Sequence, residues 1–172
     1  MGRGRRSAAE ERIGMSAHTN TTVLVVDDNP AMVYLLDAAL TASGYQVITT
    51  VARDTVEIAR ERQPAVILLD MMMPEIDGAE VCRRLRADLA TARIPIIALS
   101  ARLNLHLHAA EMQAEDYLPK PFELSDLVEK VGTWARMDAV HGDSGQDADA
   151  SGLRTPARPS LSARIDAVAS RA

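Results

Sequence analysis

Five polar residues stand where apolar runs of the chain stop. Val23-Leu24-Val25-Val26 leads into Asp27-Asp28, Val66-Ile67-Leu68-Leu69 into Asp70, Ile96-Ile97-Ala98-Leu99 into Ser100, and Tyr117-Leu118-Pro119 into Lys120-Pro121. If these runs are strands of one parallel sheet, their carboxyl ends open on one edge, and residues far apart in sequence meet in one crevice. Three carboxylates, a hydroxyl and an amine would then share a pocket. Taken singly they read otherwise: Asp27-Asp28 before Asn29-Pro30 suits a turn and helix cap, Asp70 a cap on the next turn, and Lys120 between prolines a loop. Their joint placement is what points to chemistry.

The elements that must position them follow from periodicity. Short β-branched runs alternate with amphipathic stretches, predicting strands over 23–27, 45–50, 65–70, 95–100 and 115–118 and helices over 30–43, 53–62, 78–88, 102–113 and 123–136. Five successive βα units predict a parallel sheet with helices on both faces. Asn29-Pro30 reads as a helix start, with Pro at the first position where its missing N–H costs nothing. Gly44 falls where a left-handed residue would close that helix. In the last helix Leu124, Leu127, Val128, Val131 and Trp134 recur at spacings of three and four and form a core stripe.

The 172 residues allow one domain of ordinary size, expected over 21–137, with an arm at 1–20 and a tail at 138–172. Hydrophobic content is 47%, yet only one Trp, three Tyr and one Phe are present, so the core must rest on Val, Ile, Leu, Ala and Met. Net charge is −5 and the central domain carries no strongly basic stretch, which argues against a nucleic-acid partner. The single cysteine, Cys82, rules out an intramolecular disulfide and, among apolar neighbours, reads as a buried inert thiol. No run is long and apolar enough to span or insert in a membrane, and Met1 to His18 lacks the apolar stretch of a secretory signal, so a cytoplasmic location is expected. The arm has no sustained hydrophobic period and reads as disordered, as does the Gly-, Ser- and Pro-rich stretch 138–160. Leu161, Ile165 and Val168 would share one face of a short helix near 161–169, a length that is marginal in water on its own. From His141 onward acidic and basic residues balance.

VLVVDDNP, LLDMMMPEIDG, IPIIALSA and EDYLPKPF, in this order and at regular spacing, resemble the receiver domain of two-component response regulators over about residues 21–136. The resemblance implies an α/β, flavodoxin-like, doubly wound five-stranded parallel sheet of order 2-1-3-4-5; the chemotaxis receiver is a standard example of that order. It aligns Asp70 with the phosphoacceptor, a carboxylate that attacks a histidine-bound phosphoryl group. A divalent ion, Mg²⁺ or Mn²⁺, would be held by Asp28 and Asp70, by Asp27 largely through water, and by the backbone carbonyl of Met72, an oxygen set that suits Mg²⁺. Lys120 and Ser100 would each take a phosphoryl oxygen. Lys120-Pro121 matches the family's cis peptide, and cis is accessible at an X–Pro bond. Ser100 and Tyr117 occupy the switch positions: the hydroxyl would move toward the phosphoryl group and the ring would turn inward. That would change the face built by the fourth helix, the fifth strand and the last helix.

As a stand-alone receiver, the chain would act through protein contacts: with a sensor histidine kinase or a histidine phosphotransferase, and with a downstream protein target, as a monomer or a phosphorylation-dependent dimer. It would be a slowly autodephosphorylating switch and not a turnover enzyme. The alternative is a receiver-like scaffold that binds partners without phosphorylation, which the intact set Asp27, Asp28, Asp70, Ser100 and Lys120 disfavours. A haloacid-dehalogenase-type phosphohydrolase would need an acid two residues after its nucleophile, where Met72 stands. A flavodoxin would need a phosphate cradle where the acidic Asp27-Asp28 lies. The chain departs from the family between Ser100 and Tyr117, where it is about two residues short and carries Gln113-Ala114 in place of the usual Gly-Ala. The fourth helix is thus expected to be short, or to end without its left-handed glycine. Met72 and Arg102 stand where they would obstruct hydrolytic water, which predicts a long-lived aspartyl phosphate. His106 and His108, two apart in a predicted helix, fall on different faces and make no metal pair.

Overall fold

The computed structural model describes residues 21–101 and 113–142, with side chains as far as Met137. Strand β1 (Thr22–Val26) is followed by helix α1 (Pro30–Ala42), β2 (Gln46–Thr50), a 3₁₀ turn over Ala52–Asp54, α2 (Thr55–Arg62), β3 (Val66–Asp70), α3 (Gly78–Ala87), β4 (Ile96–Ser100), β5 (Asp116–Pro119) and α4 (Leu124–Gly142). The expected helix over 102–113, with Arg102, His106 and His108, lies outside the described residues except for Gln113, as do the arm and residues 143–172.

All strands are parallel in the order β2-β1-β3-β4-β5, as the resemblance implies. Every residue of β3 and β4 is buried, so both faces of the sheet must be covered, and the two-residue period of a strand divides the core cleanly. Leu24, Val26, Ile67, Leu69, Ile96 and Ala98 pack with Ala59 of α2 and Val81, Cys82 and Leu85 of α3. Val23, Val25, Val66, Leu68, Ile97 and Leu99 pack with Leu36 and Leu40 of α1 and Leu127, Val131 and Trp134 of α4. A slip of one residue in any central strand would exchange its two apolar sets between faces.

Helix ends follow local chemistry. Asn29 Oδ1 accepts from the N–H groups of Ala31 and Met32, with Pro30 at the first helical position. At the far end of α1, Tyr45 N–H reaches Leu40 C=O and Gly44 N–H reaches Thr41 C=O, a Schellman closure with Gly44 at φ 89°. Where the family carries a glycine, Gln113 adopts φ 56°, and Gln63 closes α2 at φ 44°. The expected absence of a glycine at 113 therefore leaves the left-handed geometry in place, on a residue with a Cβ.

One tether was not legible in the sequence. The Arg86 guanidinium of α3 donates to the carbonyls of Gln113, Ala92 and Ile94 and pairs with Glu115, whose carboxylate also accepts Ile96 N–H. It joins α3, the loop into β4 and the entry to β5. Among the described residues no buried side-chain nitrogen or oxygen lacks a partner. Cys82 is buried, and that burial pushes its thiol up to about 12.

Two outcomes are expected. Gln113→Gly should stabilise the fold by about 0.5–1 kcal/mol by relieving the Cβ at positive φ. Gln63→Gly should give no such gain, because the Gln63 amide donates to the carbonyls of Ala59, Arg60 and Ala90. Urea midpoints of the two variants test this, and a gain for both or neither would contradict it. Iodoacetamide at pH 8 should leave Cys82 unmodified in the folded chain and alkylate it after unfolding. Because the folded thiol holds its proton up to about 12 while the unfolded one releases it near 9, Cys82 favours folding less and less as pH rises through that window.

Candidate functional site

Four of the five polar residues, Asp27, Asp28, Asp70 and Lys120, meet, and Ser100 ends a strand at the same edge. Asp27 follows β1, Asp70 ends β3, Ser100 ends β4 and Lys120 follows β5, all at the carboxyl edge of the sheet. Lys120 Nζ lies 3.1 Å from Asp27 Oδ2 and 3.2 Å from Asp70 Oδ2. The Asp27 side chain is fully buried, while Asp28 beside it is exposed. Each buried carboxylate spends its second oxygen on the backbone: Asp27 Oδ1 accepts Asn29 N–H at 2.8 Å and Asp70 Oδ1 accepts Met72 N–H at 3.1 Å. Ser100 is fully buried and its carbonyl accepts Lys120 N–H, so the end of β4 anchors the lysine loop. The Lys120-Pro121 peptide is cis. Tyr117 is half-buried opposite Ala98 and packs against the core cluster shared by β4 and α3.

Burial raises the Asp70 carboxyl above its usual range; the Met72 N–H and the Lys120 ammonium pull it down, and Asp27 pushes it up again. One oxygen each from Asp27, Asp28 and Asp70 lies within 4.8 Å of the others. With one ammonium against three carboxylates, the cluster keeps an excess of negative charge on hard oxygen donors, which fits a small divalent cation.

Two supports beside Asp70 were quoted in the sequence only as part of a motif. A Cβ on Gly78 would stand 2.6 Å from Asp70 C=O and 2.7 Å from Met71 Cα, so any side chain there would displace the backbone that aims Asp70. Asp77 caps α3 through Ala79 N–H and brings Gly78 to that contact. The available signal is the Asp-Gly pair opening an amphipathic run.

The model of the response regulator receiver domain matches residues 23–132. The chain belongs to this family. It is similar to the response regulator PleD of Caulobacter vibrioides, 37% identical over 152 residues, which cover 87% of this chain and 33% of that protein. It is likewise similar to the DNA-binding dual master transcriptional regulator RpaA of a Synechocystis strain, 37% identical over 114 residues, 63% of this chain and 46% of RpaA. The chain thus spans a third to about half the length of these curated relatives. Among solved structures, the receiver domain of sensor histidine kinase PA1611 from Pseudomonas aeruginosa, with magnesium coordinated in its active-site cleft, is 30% identical with a TM-score of 0.63, covering 68% of this chain and 98% of that one. Receivers are the phosphoacceptor modules of two-component signalling, and that is the function of the matched residues here. No helix among the described residues is long and apolar enough to cross a membrane.

In EDTA, Asp70→Asn is expected to raise the melting temperature of this receiver by a few degrees, the effect of about 1 kcal/mol in a domain of this size. The amide removes a buried charge while Lys120 keeps Asp27 as partner. Excess Mg²⁺ should narrow the gap by stabilising the chain with the full acidic cluster more strongly. A variant that melts lower than wild type in EDTA would contradict this.

Proposed function

We propose that Asp70 is the phosphoacceptor of this receiver. The observation that carries the reading is the pair of distances from Lys120 Nζ to Asp27 and Asp70, which sets a cation against the one nearly buried carboxylate that ends a central strand. An Asp70 oxygen attacks the phosphorus of a phosphohistidine on a sensor kinase or histidine phosphotransferase; the P–N bond breaks and the imidazole leaves, taking up a proton. Lys120 follows one phosphoryl oxygen, and the Ser100 hydroxyl with its neighbouring N–H takes another. Asp28, Asp70, Asp27 through water and the Met72 carbonyl would hold Mg²⁺, or Mn²⁺ in its place. When bound, the ion offsets the repulsion between carboxylate and phosphoryl group.

Ser100 and Tyr117 form the switch, and the output is a changed face that includes β5 and α4. Asp116 at the start of β5 accepts Lys130 Nζ at 2.8 and 2.9 Å and Trp134 Nε1 at 3.0 Å, which joins α4 to the strand. We read the partners as proteins, a phosphodonor and a downstream target, in the cytoplasm. RpaA is described as DNA-binding, but this chain spans under half of it and is acidic overall, with net charge −5.

The test is phosphate incorporation from acetyl phosphate, with and without Mg²⁺, in wild type and Asp70→Asn, read by phosphate-affinity electrophoresis. Mg²⁺-dependent labelling that the variant loses is the expected result; labelling that survives in Asp70→Asn would overturn the assignment. Met72 is 54% exposed beside the acceptor, and Met72→Asn with Arg102→Ala should shorten the phosphoryl lifetime.

A further inference from the structure

One sequence feature has no place in the receiver, the apolar stripe of Leu161, Ile165 and Val168. Among the described residues, a cleft of about 620 Å³ lies beside the acidic cluster, between α1, the loop after β2 and the loop after β3. Its walls include Val33, Tyr34, Val51 and Met73. Tyr34 is 76% exposed and Val51 41% exposed, apolar area that gains free energy when covered. Asp28, Asp37 and Glu75 stand along it and Asp27 lies deeper, against a single lining cation, Arg53.

We propose that residues 158–171 of the same chain dock in this cleft. The tail is balanced in charge only as a whole. From Leu153 onward it carries Arg154, Arg158, Arg164 and Arg171 against Asp166 alone, so the segment with the apolar stripe is also the basic one. An isolated helix of this length is marginal in water, and laying its apolar face in a groove supplies the missing stabilisation. The acidic rim supplies the attraction for the arginines.

The chain can reach. Helix α4 starts near the site edge and passes Asp116, the first residue of β5, at Trp134, so Gly142 lies beyond the opposite edge. The way back is roughly the 30 Å length of such a helix. The 15 residues 143–157 precede the docking segment, and a flexible linker of that size has an r.m.s. span of about 21 Å and a limit near 50 Å. A docked segment would set its arginines against Asp28, Asp37 and Glu75 and, at Asp28, compete with a divalent cation. Its effect on phosphorylation rests on the Asp70 reading; docking itself does not.

The experiment uses the full chain in EDTA and compares hydrogen–deuterium exchange of wild type with two variants, Leu161→Asp/Ile165→Asp/Val168→Asp and Arg158→Glu/Arg164→Glu/Arg171→Glu. Both should exchange faster over residues 30–37 and 49–54, and the wild-type protection should survive dilution. Calorimetric Mg²⁺ affinity should rise in both; a tail docked in about nine-tenths of molecules predicts roughly tenfold. Unchanged exchange in those segments would overturn the proposal. Protection that appears instead over 39–43 and 124–129, the second groove between α1 and α4, would also overturn it. So would protection lost on dilution, which would mark a second copy as the occupant. Failure of Asp70 labelling with these exchange differences intact would overturn the phosphoacceptor reading alone.

Discussion

Two carboxylates held nearly out of water beside one another repel, and leaving both without a cation would be costly. Here Lys120 sits about 3 Å from both Asp27 and Asp70 and makes the pair tolerable. That ammonium arrives from the fifth strand, the carboxylates from the first and third, so the contact exists only while all three strands keep their order and register. One ammonium leaves that pair net negative and the exposed Asp28 adds a further negative charge, giving a site stable enough to fold yet electrostatically unsatisfied enough to take a cation.

The sheet makes that contact possible by being buried on both faces. Alternate residues of β1, β3 and β4 belong to two separate apolar clusters, one under α2 and α3 and one under α1 and α4. Sliding a strand would cost both clusters at once, so the carboxyl edge is held rigidly. Smaller devices then aim individual groups. Gly78 lets α3 press against the Asp70 carbonyl, Asn29 fixes Asp27 through its N–H, and Met72 fixes Asp70 in the same way.

Much of this was legible in the residues. The strands lie within one residue of their predicted bounds, because β-branched runs ending in turn residues have few other ways to fold. Asn29-Pro30 and Gly44 marked the ends of α1 for reasons local to the backbone. The last helix runs to Gly142, beyond the predicted 136, since the apolar stripe marks where a helix packs and not where it stops. Gln113 shows the converse. A left-handed residue was in doubt there because glycine was missing, yet the geometry persists, held in part by Arg86 donating to its carbonyl from a helix 27 residues away.

The sequence by itself determined the layer order, the two-faced core and which polar residues gather on one edge, because each follows from short-range periodicity plus the rule that parallel strands end together. Only the tertiary structure decided how those residues pair: that one lysine serves two carboxylates, that Asp28 stays in water while Asp27 does not, and that Arg86 ties three separate segments. Such pairings depend on side-chain distances across the fold. The identity of a residue fixes its charge and reach, but the register of distant strands decides which partner falls within that reach.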